Sequence, residues 1–256
     1  MDSIKFLGTA GARFVMMKQL RASGGTWLAL SQTNILIDPG PGTLVKCWRS
    51  RPKLDPSKLE AIVLSHKHLD HSGDINVMIE AMTDGGFKKR GLVFAPRDAL
   101  EEDPVILHYL RDYPERIEVL EEGEKYEIGP VTLEVPKRHL HSVETYGLNF
   151  STKKRSISFV TDTYFFQEIS EIYPGEILVI NVVRLQKDDR KDIQHLNLED
   201  AKRIIAQAKP KLAILTHFGM TVIRARPWEL AEKIEEELGI RVVAARDGMS
   251  INLDEI

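Results

Sequence analysis

Short apolar runs alternating with amphipathic stretches along all 256 residues predict an α/β protein, with mixed β-sheets and helices packed outside them. Three observations carry this. Ten runs are strand-length, rich in Leu or β-branched residues, and bounded by Gly, Pro, Asp or Ser. Two amphipathic segments carry helix start and stop signals. No linker, low-complexity tract or short-period repeat divides the chain, so one domain over 1–256 is expected.

In order, strands are expected at 4–7, 27–30, 34–37, 61–64 and 92–95, with a helix following Asp74. The segment 115–135 alternates in hairpin fashion around Gly123 and Gly129 and includes a strand at 131–135. Further strands are expected at 156–160, 176–182, 211–215 and 241–244. Between them, 197–208 reads as a helix: Asn197 can cap it, Glu199 and Asp200 suit its first turn, and Leu198, Ala201, Ile205 and Ala208 share a face. A second helix, 227–238, starts at Pro227 and stops before Gly239.

Composition narrows the chemistry. With 35 basic and 38 acidic residues the net charge is −3, which argues against a chain gripping nucleic acid over its whole surface. No apolar run approaches the ~20 residues of a membrane-spanning helix, and the opening Met-Asp-Ser-Ile-Lys shows no secretory pattern. A cytoplasmic protein without a membrane partner is expected. One cysteine, Cys47, excludes disulfide scaffolds and cysteine-based metal clusters in a monomer. Beside Trp48 in a helical stretch, it reads as packing. The eight histidines therefore have only carboxylates as partners for any metal.

Ser65-His66-Lys67-His68-Leu69-Asp70-His71 follows the apolar run 61–64 directly. His66 and His68, two apart on an extended tip, point the same way and can share one ion. Asp70 and His71 can face a second ion as the chain turns into a helix. Imidazoles with a carboxylate suit zinc, with manganese or iron as alternatives. Other apolar runs end in Asp38, Asp162 and His217, and His141 lies just past the run 131–135. Strand ends at one sheet edge are where α/β folds assemble their sites. His139 is off this pattern and stays outside the set. His108, with Leu107 and Leu110, reads as structural.

These motifs resemble the metallo-β-lactamase superfamily. Its His-x-His-x-Asp-His signature matches at His66, His68, Asp70 and His71, followed in order by His141, Asp162 and His217. The opening Phe6-Leu7-Gly8-Thr9-Ala10-Gly11 looks like the family's first strand and glycine turn. The resemblance implies an αββα sandwich and two divalent ions sharing a hydroxide. His66, His68 and His141 would hold the first ion and Asp70, His71 and His217 the second. Asp162 would bridge them, and Asp38 would orient the ligands from behind.

Phe6–Gly11, 159–163, His195-Leu196-Asn197 and Leu215-Thr216-His217 look most like the ribonuclease Z and cyclic phosphodiesterase branch. There a histidine ahead of the penultimate helix sits by the substrate phosphate, a place His195 occupies here. The resemblance implies hydrolysis of a small or short phosphodiester, with Asp70 orienting the nucleophile and His195 assisting the leaving group. Carboxylic ester, thioester or lactone hydrolysis is the alternative; a non-hydrolytic di-iron or metal-binding protein is a third reading. Nucleic acid stays open as a partner, but only the hairpin 142–161 lies between His141 and Asp162, where common ribonuclease Z carries its tRNA-clamping arm. The strand beginning at Ile177 runs into Arg184-Leu185-Gln186, not into that branch's acidic partner for the histidine.

Around the site, the loop 12–25 carries Arg13, Lys18 and Arg21 and can rim the mouth, while Met16 and Met17 within it read as ordinary packing. The mixed-sign run 187–192 reads as a solvated loop just before His195.

Overall fold

The computed structural model describes residues 1–101, 103–187 and 194–256, so most of the run 187–192 lies outside the described residues. Among the described residues, fourteen strands form two seven-stranded sheets. The first contains β1 (Ser3–Phe6), β2 (Thr26–Leu30), β3 (Thr33–Ile37), β4 (Ala61–Val63), β5 (Leu92–Ala95), β6 (Arg116–Val119) and β14 (Ser250–Asn252). Its order is β14-β1-β2-β3-β4-β5-β6, antiparallel up to β3 and parallel beyond it. The second contains β7 (Lys125–Ile128), β8 (Val131–Glu134), β9 (Leu148–Ser151), β10 (Ser156–Val160), β11 (Ile177–Asn181), β12 (Leu212–Thr216) and β13 (Val242–Ala244). It is parallel from β13 to β10 and antiparallel from β10 to β7.

Eight α-helices among the described residues accompany the sheets: α1 (Ala12–Met17), α2 (Thr43–Arg49), α3 (Leu69–Ser72), α4 (Ile75–Met82), α5 (Ile169–Ile172), α6 (Leu198–Ala208), α7 (Met220–Arg224) and α8 (Pro227–Leu238). The sheets pack face to face and bury alternate residues of each strand between them. Ile35 and Ile37 of β3 and Leu212 and Ile214 of β12 point into this shared core. The intervening residues serve the outer layers. Leu36 packs with Cys47, Met78 and Met82 of α2 and α4, and Ala213 and Leu215 pack with Ile204, Ala231 and Ile234 of α6 and α8. Burial on both faces is why the central strands read as continuous apolar runs. The result is the expected αββα sandwich.

Three expectations change. The segment 115–135 is not one hairpin system: β6 pairs with β5 in the first sheet, whereas β7 and β8 form a hairpin about Gly129 in the second. Gly123 lies where the chain crosses between sheets. The segment 12–25 opens with helix α1 rather than running as loop. His108 is exposed on a 3-10 turn and has no core role. Among the described residues, no helix is long and apolar enough to cross a membrane.

Candidate metal centre

Strand ends deliver the site, as the sequence predicts. Beyond β4 the chain places Ser65 and His66, then His68 at the start of α3, with Asp70 and His71 inside its single turn. The Ser72 hydroxyl closes that turn by donating to the carbonyls of Lys67 (3.0 Å) and His68 (3.1 Å). Asp38 follows β3 and His217 follows β12, both at left-handed φ (50° and 58°). Such φ values are uncommon for residues with a Cβ, though Asp and His adopt them more readily than most. Asp162 follows β10, and His141 lies on the β8–β9 connection.

All seven expected ligands meet. Donor atoms of His66, His68 and His141 lie within 4.8 Å of one another, as do those of Asp70, His71 and His217, and those of His66, His71 and Asp162. His71 Nε2 is 3.3 Å from His217 Nε2, and His141 Nε2 is 3.2 Å from His68 Nδ1. Asp162 Oδ2 sits among them, 3.8 Å from His66 Nε2, 3.5 Å from His71 Nε2 and 3.4 Å from His217 Nε2. Asp70 Oδ2 lies 3.7 Å from His217 Nε2.

These donors fit divalent ions. A tetrahedral ion with bonds of about 2.0–2.1 Å to nitrogen separates its ligands by about 3.3–3.4 Å, close to the shorter spacings here. The buried Nε2 of His66 has no hydrogen-bond partner, as a ligand atom awaiting an ion would.

Supporting residues fix which ring nitrogen faces inward. Asp38 Oδ1 accepts from the Ser65 amide (2.6 Å) and Oδ2 from the Ser65 hydroxyl (2.7 Å). With its proton spent on Asp38, the Ser65 oxygen can only accept from His66 Nδ1 (3.0 Å), which leaves His66 Nε2 bare. The His71 Nδ1–H donates to Asp38 Oδ2 (2.9 Å), and that of His141 to the Gln194 carbonyl (3.0 Å). Asn181, at the end of β11, donates to Asp162 Oδ1 (2.9 Å) and leaves Oδ2 facing the imidazoles. Asp38 makes these contacts from behind the cage, and Ser65 and Asn181 add to them. Asn181 carried a legible signal, being one more polar residue at the end of an apolar strand.

Metal ligation needs neutral imidazoles and a carboxylate, which the surroundings favour at three of the histidines and at Asp162 but not at His71. Burial, with His71 adding repulsion, holds His66 well below the usual histidine range. Burial also lowers His68 and His141. At His71 burial acts the same way, but Asp38 and Asp70 outweigh it and lift the metal-free ring well above its ordinary value. At Asp162 burial opposes ionisation, yet His217 and His195 hold the carboxyl well below the usual range.

His195 reaches the site: its buried Nδ1 lies 3.5 Å from Asp162 Oδ2 without a hydrogen-bond partner. Burial lowers its pKa, against the pull of the Asp162 carboxylate. His139 stays out of the cluster, as expected. Its Nε2 accepts from the Tyr173 hydroxyl (2.6 Å), and its Nδ1 faces the Asp162 carbonyl (3.2 Å). Arg13, Met16 and Met17 line a recess shared with His68, Asp70, Asp162 and His195. Met17 is exposed, so the packing expected of it is not found. Arg21 instead ties the loop down, donating to Thr9 Oγ1 (2.9 Å) and stacking over Phe218.

Two facing mixed sheets with a His/Asp cage at their shared edge define a metallo-hydrolase of the β-lactamase type. Residues 33–218 match the beta-lactamase superfamily domain, and the chain belongs to that family. It is 31% identical to the uncharacterized protein MJ1374 of Methanocaldococcus jannaschii, over 98% of this chain and 94% of that one. The metallo-beta-lactamase fold protein YhfI from Bacillus subtilis superposes with a TM-score of 0.80 at 19% identity, over 98% of each chain. A diphosphatase of the PhnP family superposes with a TM-score of 0.71 at 19% identity, over 99% of this chain and 98% of that one.

Proposed function

We propose that this protein is a phosphodiesterase that works with two divalent metal ions, zinc being the ion its donors suit best. His66, His68 and His141 would hold one ion and Asp70, His71 and His217 the other, with Asp162 Oδ2 within reach of both groups. Ions bound there supply Lewis acidity and lower the pKa of water toward neutrality. The remaining steps belong to the chain. The Asp70 carboxylate, facing the same space, orients the nucleophilic water and accepts its proton. His195 donates an N–H to the phosphoryl or leaving-group oxygen, and an anionic phosphate beside it raises its proton affinity against the effect of burial.

One observation carries the reading: a buried, unpartnered imidazole nitrogen 3.5 Å from the central carboxylate and outside the seven-donor cage. The cage alone serves esters of carbon as well as of phosphorus. The added donor suits a phosphoryl group, and the likeness to a PhnP-family diphosphatase supports that choice.

Metal-loaded protein assayed with bis(p-nitrophenyl) phosphate, p-nitrophenyl acetate and a thioester panel is expected to prefer the phosphodiester. Full metal occupancy with the phosphodiester untouched overturns the proposal, and hydrolysis of acetate or thioester alone assigns the carbon-ester alternative. His195→Ala should keep both metals and lose roughly 10²-fold or more in kcat.

A further inference from the structure

Two recesses meet at the His195 ring, and their walls differ in kind. The first, which shares His68, Asp70 and Asp162 with the cage, is walled by Met16, Met17 and Leu69, with Arg13 the one cation among its described residues. The second runs past Tyr164 and Phe165 to Arg184, Lys187 and Arg203, opposed by Asp200 alone among its described residues. Arg203 lies over the Phe165 ring at 4.5 Å.

The apolar wall continues outward. Phe14 and Met17, three apart on α1 and so neighbours on its surface, are 58% and 61% exposed, and Leu69, lodged between two candidate ligands, is 66% exposed. Folding does not require these side chains, since Val15 is the only buried residue of α1. Single exposed apolar residues are ordinary, but several gathered at one mouth mark a binding surface. The wall is also held in register with the cage. A Cβ on Gly11 would lie 2.0 Å from the His217 carbonyl oxygen, and the Gly11 amide donates to the Phe218 carbonyl (3.0 Å). The start of α1 is thereby fixed to the backbone of a candidate ligand.

We infer that the substrate is an amphiphilic ester. Its apolar alkyl or aryl group lies against Met16, Met17 and Leu69, and its polar, anion-bearing half lies in the recess of Lys187 and Arg203. This rests on the phosphodiesterase reading for its chemistry and adds which phosphodiester is taken. The contrast between the walls sets the orientation. An alkyl chain placed in the second recess would meet Leu140, Tyr164 and Phe165 but would also strip water from its cations, a cost that the first recess, with Arg13 its one described cation, largely avoids. Placed against α1, it covers methionine and leucine surface that is otherwise wet.

The test uses metal-loaded protein and two homologous series. Methyl, butyl and octyl p-nitrophenyl phosphates report kcat/KM, and methyl-, butyl- and octylphosphonate report affinity by calorimetry. Full burial of each added methylene is worth about fourfold, so three of them, partly buried, should raise both series by about tenfold or more from methyl to butyl, up to about sixtyfold. Met17→Ser and Phe14→Ser, each at an exposed position, should shrink that ratio severalfold at unchanged metal content. Flat series overturn the inference, and so does a steep rise that survives both substitutions. If none of the three esters is hydrolysed at full metal occupancy the phosphodiesterase reading falls, while the phosphonate series still decides whether the apolar subsite exists.

Discussion

With one carboxylate, Asp38 binds the amide and hydroxyl of Ser65 and the ring of His71, so imidazoles from both ligand groups depend on it for orientation. Residues that orient a ligand from behind typically contribute about 10–100-fold in metal affinity. Asp38→Ala should therefore weaken metal binding by that order in a chelator competition, and Ser65→Ala, which frees only His66, by less. Equal affinities in all three proteins would show that neither side chain orients a ligand. His139 makes a separate prediction because it is buried outside the cage. Burial pushes it down to about 3. The unfolded chain takes up this proton near pH 6.5 and the folded one does not. The stability tied to the neutral ring is thus present above about pH 6.5 and lost as pH falls toward 3, at about 1.4 kcal/mol per pH unit. The His139 ring resonances should show no titration between pH 7 and 5; a midpoint near 6.5 would contradict the buried placement.

At the scale of elements, α6 links fold to site. The Asn197 side chain accepts from the Asp200 amide (3.0 Å), and the Asp200 carboxylate accepts from the Asn197 amide (3.1 Å), a reciprocal capping box two residues after His195. Removing such a cap costs about 1 kcal/mol. Asn197→Ala should lower unfolding stability by that amount in urea denaturation, and no change would mean that the cap is replaced by solvent. This helix was legible because its signals are local: an amphipathic face, a capping residue and an acidic first turn. The ten apolar strands were legible for the same reason, and so were seven candidate ligands placed at strand ends or beside one. What escaped was non-local. The turn at Gly123 has the chemistry of a hairpin, but whether the next strand turns back onto its predecessor or crosses to the other sheet depends on which edge is open. Helix α1 has six residues with one buried, too short for a periodic pattern to register. Ser65 acts through a hydroxyl that joins its neighbour His66 to Asp38, which follows a different strand, and no spacing rule brings Asp38 to that pair.

At the scale of the whole molecule, the cage joins the two sheets. His66, His68, Asp70 and His71 follow β4 of the first sheet, whereas His141, Asp162 and His217 come from the connections of the second. Each of the three donor groups draws on both: His66 and His68 with His141, Asp70 and His71 with His217, and His66 and His71 with Asp162. An ion held by any of them is a cross-link between layers that otherwise meet through apolar contact. In the metal-free protein the same place is a liability, since several imidazoles crowd around one buried carboxylate and His66 Nε2 has no partner. Metal should therefore stabilise the fold as a whole and not just its loops. Free metal at about 100 times its dissociation constant adds about 2.7 kcal/mol, which for a chain of this size corresponds to roughly 5–10 °C in Tm. Scanning calorimetry of chelator-treated protein, with and without added zinc, should show one transition that moves upward by that amount. Asp162→Asn, which weakens the one carboxylate within reach of both donor groups, should reduce the shift more than Asp70→Asn does. A Tm indifferent to metal would mean that the seven donors do not bind an ion across the sheets, and the proposed chemistry would fall with it.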